Sequence, residues 1–280
     1  MTASPSNGEL LPPHVAATQA PMPDYEREAS RPNSRERGWN ILATPGTYIL
    51  LAINIAVFGW MVLNGVSPKD PTTAQLVHYG ATNAYLVLAG QWWRLLTATF
   101  VHVGLLHIAT NMWCLWNLGL LGEPLLGPVG LVAVYLITGI AGNLLSLCFN
   151  VIRHDGISVG AGASGAVFGI AGILIVLLSN KRLPIPAFEL NRLRRSVIQF
   201  AVLNLVIGLG TIFTNIVRID NFAHAGGFLS GLALGVPLLP RMTSGRTRYL
   251  QRQKLAFAAA AFLLLLFAYF IASYAKAGPR

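Results

Sequence analysis

The stretch GAGASGAVFGIAGILIVLLSN, residues 160–180, decides how this chain is read. Ser164 stands at the head of a run of apolar and small residues long enough to suggest a bilayer span. A polar group in such a segment is costly, so it is a functional candidate by default. A second stretch repeats the arrangement. Ala223-His224-Ala225-Gly226-Gly227 opens the apolar segment 222–239. A serine and a histidine at equal depth are the pair that nucleophilic catalysis needs.

Composition places the chain in a membrane. It is 54% hydrophobic and 11% charged, with mean hydropathy +0.57. A soluble domain carries roughly a quarter charged residues. Cys114 and Cys148 both fall in apolar segments. That spacing is neither a disulfide framework nor a zinc site, and no metal or cofactor is expected.

Seven apolar segments follow a polar head: about 48–66, 105–121, 129–149, 163–179, 197–213, 222–239 and 255–274. A span needs about 20 residues, with roughly 17–25 usual. The segment at 163–179 is the shortest. The expected fold is therefore all-α and polytopic. Residues 1–45 read as a disordered, proline-rich tail without the pattern of a signal peptide. Residues 46–240 form a six-helix core, and 241–280 a basic linker with a seventh helix.

Lysines and arginines orient the segments. With the N-terminus in the cytoplasm, the inner side holds Arg27, Arg31, Arg35 and Arg37, then Lys181, Arg182, Arg192, Arg194 and Arg195, then Arg241, Arg246, Arg248, Arg252 and Lys254. The outer side holds Lys69, Arg94, Arg153, Arg218, Lys276 and Arg280. The net charge of +10 is thus mainly an orientation signal, not a nucleic-acid surface. The N-terminus is expected inside and the C-terminus outside.

Segments two, four and six then run from outside to inside. His107 and Asn111 start the second, Ser164 the fourth and His224 the sixth. All four lie within one or two turns of the outer end, at about 1.5 Å per residue. Gly227, Gly231 and Gly235 follow His224 along one helical stripe, and Gly165, Gly169 and Gly172 lie on a face adjacent to Ser164. Small-residue stripes let membrane helices pack backbone to backbone. Taken alone, Ser164 reads first as a packing residue and only second as a nucleophile. A buried histidine is harder to explain without a partner. His107 and Asn111 are spaced i, i+4 and share a helix face. The pair lacks the Glu of an H-E-x-x-H zinc site. An oxyanion hole fits better, since both side chains donate hydrogen bonds. Gly162-x-Ser164 also resembles the elbow of soluble hydrolases, but residue 166 is Ala and no strand precedes it.

These motifs occur together in order: Trp93-Arg94, His102-x4-His107-x3-Asn111, Gly162-x-Ser164-Gly165, and Ala223-His224-x-Gly226-Gly227 with Gly231 beyond. Over about residues 48–240 the chain resembles the rhomboid intramembrane serine proteases. The resemblance implies a Ser–His dyad, with Ser164 as nucleophile and His224 as base and then acid. It implies an oxyanion hole of His107, Asn111 and the Ser164 N–H. Gly162 gives backbone room beside the serine, and Gly165 and Gly227 serve close packing. Trp93 and Arg94 order the long loop 67–103, and His102 has a similar role. Asp220, four residues before His224, is not expected to complete a triad. Glu123 is expected to cap or tie helices. The partners implied are transmembrane protein substrates, cut through an acyl-enzyme to release an outer domain, with segment five and residues 214–221 as a side gate. A bacterial inner membrane is the expected location. The rival classes are a non-catalytic membrane chaperone of the same fold and a transporter. The second lacks the expected half-repeats and paired ionisable residues.

Overall fold

The computed structural model describes residues 44–181, 183, 185–210, 220–239 and 245–277. The N-terminal tail, the end of the fifth apolar segment, most of the proposed gate loop, residues 240–244 of the linker and the last three residues lie outside the described residues.

In chain order the elements are α1 (Pro45–Leu63), α2 (Thr73–His78), β1 (Thr82–Asn83), α3 (Ala84–Leu88), α4 (Arg94–Thr97), α5 (Leu105–Leu126), α6 (Pro128–Ile152), β2 (Val159–Gly160), α7 (Ser164–Leu177), α8 (Ala187–Gly210), α9 (Asn221–Leu238) and α10 (Arg246–Ala277). The seven long helices match the seven apolar segments. By length and composition α1, α6 and α10 are apolar and long enough to cross a membrane. Helix α7 has only 14 residues, and α5 carries His107, Asn111, Asn117 and Glu123.

Two helices start well before their apolar segments. Helix α8 begins at Ala187 rather than 197, and α10 at Arg246 rather than 255. Hydropathy marks only the apolar part of a helix. Arg, Lys, Gln and Leu are good helix formers, so the helix continues through the charged turns.

Helix α7 is the centre of the bundle. Every residue from Gly165 to Leu174 is buried, as expected for a helix that is apolar on all faces. Its main partners are α9 and α6. A Cβ on Gly227 would run into the Gly165 carbonyl, and one on Gly231 into the Gly169 carbonyl. The two backbones therefore touch, which is how small-residue stripes stabilise membrane helix pairs. A Cβ on Gly142 of α6 would meet the Ala223 carbonyl of α9 at 2.5 Å.

A sharp turn joins α5 to α6. Gly127, with φ +77°, ends the first helix, and Pro128 stands at the first position of the second. That is the usual division of labour between glycine and proline at helix ends. Nearby, the buried Glu123 carboxylate accepts from Gly46 N (2.8 Å), Thr47 N (2.7 Å) and Thr47 Oγ1 (2.6 Å). It caps α1 with donors that the helix leaves unpaired, and it ties α1 to α5 as the sequence suggested.

The loop 67–103 is ordered in short pieces that hydropathy did not reveal. Thr72 and Gln75 form a capping box on α2, the reciprocal arrangement that fixes a helix start. Thr82 and Asn83 pair antiparallel with Gly160 and Val159. Arg94 donates to Gln91 Oε1 (2.7 Å) and to the Val77 and Ala81 carbonyls (2.6 and 3.0 Å), with its guanidinium 4.6 Å from the Trp93 ring centre. One side chain thus gathers three parts of the loop.

Helix α10 packs on α6 and on this loop. Ile271, Leu264 and Phe267 share a cluster with Leu144, Leu147, Ala84, Val87 and Leu95. At its other end, Gln253 Nε2 donates to the Leu126 carbonyl (2.9 Å) and Tyr249 Oη to the Leu125 carbonyl (3.2 Å). Both satisfy carbonyls at the end of α5 that no turn beyond it can reach.

Candidate active site

Ser164 is the first residue of α7. The first N–H groups of a helix have no intrahelical acceptor, and the helix dipole places partial positive charge there. The serine therefore sits where negative charge is favoured. The approach to it is specialised backbone. Gly162 has φ +130°, a conformation that side chains rarely adopt. Its N–H donates to the Ala98 carbonyl at 2.9 Å.

His107 lies against Gly162. A Cβ there would be 2.5 Å from His107 Cε1 and 3.0 Å from Nε2, so no other residue fits without moving the imidazole. Val103 N–H donates to His107 Nδ1 at 3.4 Å. That assignment leaves the proton on Nε2, the nitrogen nearer to Gly162, as a free donor. One turn on, Asn111 is buried, and its amide donates to the His107 carbonyl at 2.9 Å.

His102 is fully buried behind these residues. Its ring centre is 5.3 Å from that of His107. Ala163 N–H donates to His102 Nε2 (3.4 Å), and Nδ1 contacts the Phe100 carbonyl at 3.1 Å. The tautomer with the proton on Nδ1 satisfies both bonds. His102 thus links the loop to the residue before Ser164, in keeping with an ordering role.

His224 approaches from α9. Its imidazole stacks on Phe168, centroids 4.3 Å apart and planes 20° from parallel. Phe168 is four residues after Ser164 and shares its face of α7. The Nδ1 atom of His224 is buried with no hydrogen-bond partner. Asp220 does not fill that role. It caps α9 by accepting from Ala223 N (2.9 Å) and takes the Ser146 hydroxyl on its other oxygen.

The structure therefore gathers Ser164, His224, His107, Gly162 and His102 at one end of the bundle, with Asn111 one turn behind. Gly165 and Gly227 make the α7–α9 contact, and Trp93 and Arg94 stay in the loop. No group of three or more His, Cys, Asp or Glu suited to a metal ion occurs among the described residues. Phe168 was missed at the sequence level, because a phenylalanine in an apolar segment carries no distinguishing signal. Tyr135 and Asn143 also lie outside the sequence-based expectation. Polar groups inside an apolar span were the available clue.

Residues 89–241 match the Rhomboid domain family. The chain is 36% identical over 196 residues to the rhomboid protease GluP of Bacillus subtilis, covering 68% of this chain and 35% of that protein. It is 34% identical over 180 residues to RHOMBOID-like protein 5 of Arabidopsis thaliana, covering 64% of this chain and 54% of that one. With the rhomboid protease AarA of Providencia stuartii, identity is 31% over 204 residues, covering 68% and 71%. The chain thus spans about a third to a half of the length of the first two relatives. Its helical fold, its apolar helices and a domain match over more than half of its length have one meaning: the chain is an integral membrane protein and belongs to the rhomboid family.

Proposed function

We propose that the protein is an intramembrane serine endopeptidase in which Ser164 is the nucleophile and His224 its base. The observation that carries this reading is the stack of His224 on Phe168, one turn along α7 from Ser164. His107 supports it from the other side, against Gly162. Two relatives named as rhomboid proteases are consistent with it.

The chemistry follows from the arrangement. Neutral His224 takes the Ser164 proton on Nε2 as Oγ attacks a peptide carbonyl. Its Nδ1 is enclosed and carries the other proton, with no carboxylate in third place. The developing oxyanion meets the Ser164 N–H, the His107 Nε2–H and the second N–H of Asn111, whose first serves the His107 carbonyl. His224 then protonates the leaving amine. Water, deprotonated by the same imidazole, releases the acyl group.

Depth follows from length. Helix α7 has 14 residues, about 21 Å at 1.5 Å per residue, against a hydrocarbon core of about 30 Å. We place the shortfall at its N-terminus, below the membrane surface, so that water must reach it from above. The substrate is a transmembrane segment of another protein, opened locally so that its peptide bonds are exposed. With the N-terminus cytoplasmic, the cut lies near the outer face and releases an outer domain. A bacterial inner membrane is the setting that fits, with no cofactor and no nucleic acid involved.

The test is a cleavage assay in proteoliposomes with wild type and Ser164→Ala. Wild type should cut a transmembrane substrate and react with a fluorophosphonate probe at Ser164. The alanine variant should insert, fold and do neither. Undiminished cleavage by the variant, or labelling elsewhere, would sink the assignment. A wild type that binds substrate helices without cutting them would favour the non-catalytic chaperone.

A further inference from the structure

Asn143 is an unexpected polar residue inside apolar helix α6. It is buried, and its amide donates to the Leu95 carbonyl of α4 at 2.8 Å. Helix α4 is a single turn of four residues, so its carbonyls need partners from outside the usual helical ladder. The chain from Arg94 to Phe100 finds them one by one. The Arg94, Leu96 and Thr97 carbonyls accept from the Ala98, Thr99 and Phe100 N–H groups. Thr99 N–H thus serves Leu96, and the Leu95 carbonyl is left to Asn143. The Ala98 carbonyl takes Gly162 N–H at 2.9 Å. The Thr99 carbonyl takes Tyr135 Oη of α6 at 3.0 Å. The Phe100 carbonyl contacts His102.

Tyr135, Gly139 and Asn143 are spaced by four and form one stripe of α6. A Cβ on Gly139 would lie 2.6 Å from Thr99 Cγ2, so the glycine lets α6 come close enough for both side chains to reach. Helix α6 therefore grips the segment on both sides of Ala98, and Ala98 holds Gly162.

We propose that Asn143 is a positioning residue for the nucleophile. By fixing Leu95 it fixes the Ala98 carbonyl, and through Gly162 it sets Ser164 against His107. This role rests on the protease reading above. Its effect is on the turnover step, because Asn143 touches neither the substrate nor the reacting atoms.

Asn143→Leu keeps the branched shape and removes the donor. The full chain in proteoliposomes should be labelled at Ser164 by a fluorophosphonate about tenfold more slowly than wild type or worse, since small misplacements at a reacting centre are expensive. For a transmembrane substrate, kcat should fall by a similar factor and KM stay within about twofold. All rates are taken per folded molecule, well below the unfolding temperature. A merely structural role lowers that temperature and leaves these rates intact, and that result overturns the proposal. So does a loss confined to KM. If Asn143→Leu does not fold, Tyr135→Phe removes the matching donor to the Thr99 carbonyl and is judged by the same readouts. Equal labelling of wild type and variant overturns this role alone. A wild type that is not labelled at Ser164 overturns the protease reading and this role with it.

Discussion

The imidazole of His224 lies face to face with the ring of Phe168, centroids 4.3 Å apart. The contact joins α9 to the Ser164 face of α7. An aromatic stack of this kind is worth about 0.5–1.5 kcal/mol beyond area burial. Its larger value is orientation, since Nδ1 of the same ring has no hydrogen bond to hold it. Phe168→Tyr should retain most activity. Phe168→Leu keeps an apolar side chain but loses the flat surface, and should lower kcat by about tenfold for an added barrier of about 1.4 kcal/mol. Cleavage kinetics at equal folded protein check this. An unchanged kcat in the leucine variant would mean that the stack does not orient the base.

His107 and Asn111 should act on the transition state more than on substrate binding. Losing one oxyanion donor costs about 10²–10³ in turnover. Asn111→Ala should lie at the mild end, because the Ser164 N–H and His107 remain. His107→Ala should be more severe, since it also removes the ring that rests against Gly162. The measurement is kcat and KM for each variant. A loss carried by KM with kcat unchanged would contradict the oxyanion role.

Cleavage should rise as pH increases through the acid range and level off once His224 is neutral. Only the neutral imidazole can accept the Ser164 proton, so protonation removes the base and activity falls on the acid side. The profile should be recorded between pH 4 and 8, with folding followed in parallel. A rate that is flat across that range while the protein stays folded would argue against a histidine base.

Glu123 should matter for stability and little for chemistry. Its carboxylate takes three hydrogen bonds from Gly46 and Thr47 at the start of α1. In Glu123→Ala these buried donors lose their acceptor, at about 1–3 kcal/mol for each one left unsatisfied. Glu123→Gln keeps one acceptor oxygen and should be milder. Thermal unfolding should shift down in the order wild type, glutamine, alanine, while Ser164 labelling per folded molecule is preserved. An alanine variant as stable as wild type would mean that water replaces the cap.

Much of this architecture was legible in the chain because membranes impose simple rules. Apolar length marked the helices, and the glycine stripes after Ser164 and His224 marked the α7–α9 contact. What escaped was whatever depends on a polar side chain reaching a distant backbone group. Glu123 was expected to tie helices, but its partner could not be named, since Thr47 is 76 positions away. Asn143 and Tyr135 sit in an apolar run, and the Leu95 and Thr99 carbonyls they serve are left without a helical partner because α4 is one turn long. The loop 67–103 has no periodicity to read. Its short helices depend on Arg94, Thr72 and Asn83, each binding nearby backbone. The starts of α8 and α10 lie earlier than hydropathy predicts, because charged turns continue a helix without adding to its hydropathy.

Orientation can be tested without reference to the catalytic motifs. The distribution of lysine and arginine over seven alternating spans places Lys69 outside, Lys181 and Arg248 inside, and the C-terminal Arg280 outside. Single cysteines at these positions, in a background lacking Cys114 and Cys148, should be labelled by an impermeant maleimide in that pattern on intact cells or sealed vesicles. Positions 181 and 248 should react only after the membrane is opened. If 280 reacts only then, α10 does not cross. If 181 reacts from outside, the orientation is reversed, and with it the side on which a released domain appears. Since Ser164 and Lys69 share one end of the bundle by the proposed topology, the domain freed by wild type and retained by Ser164→Ala should appear on the side where residue 69 is labelled.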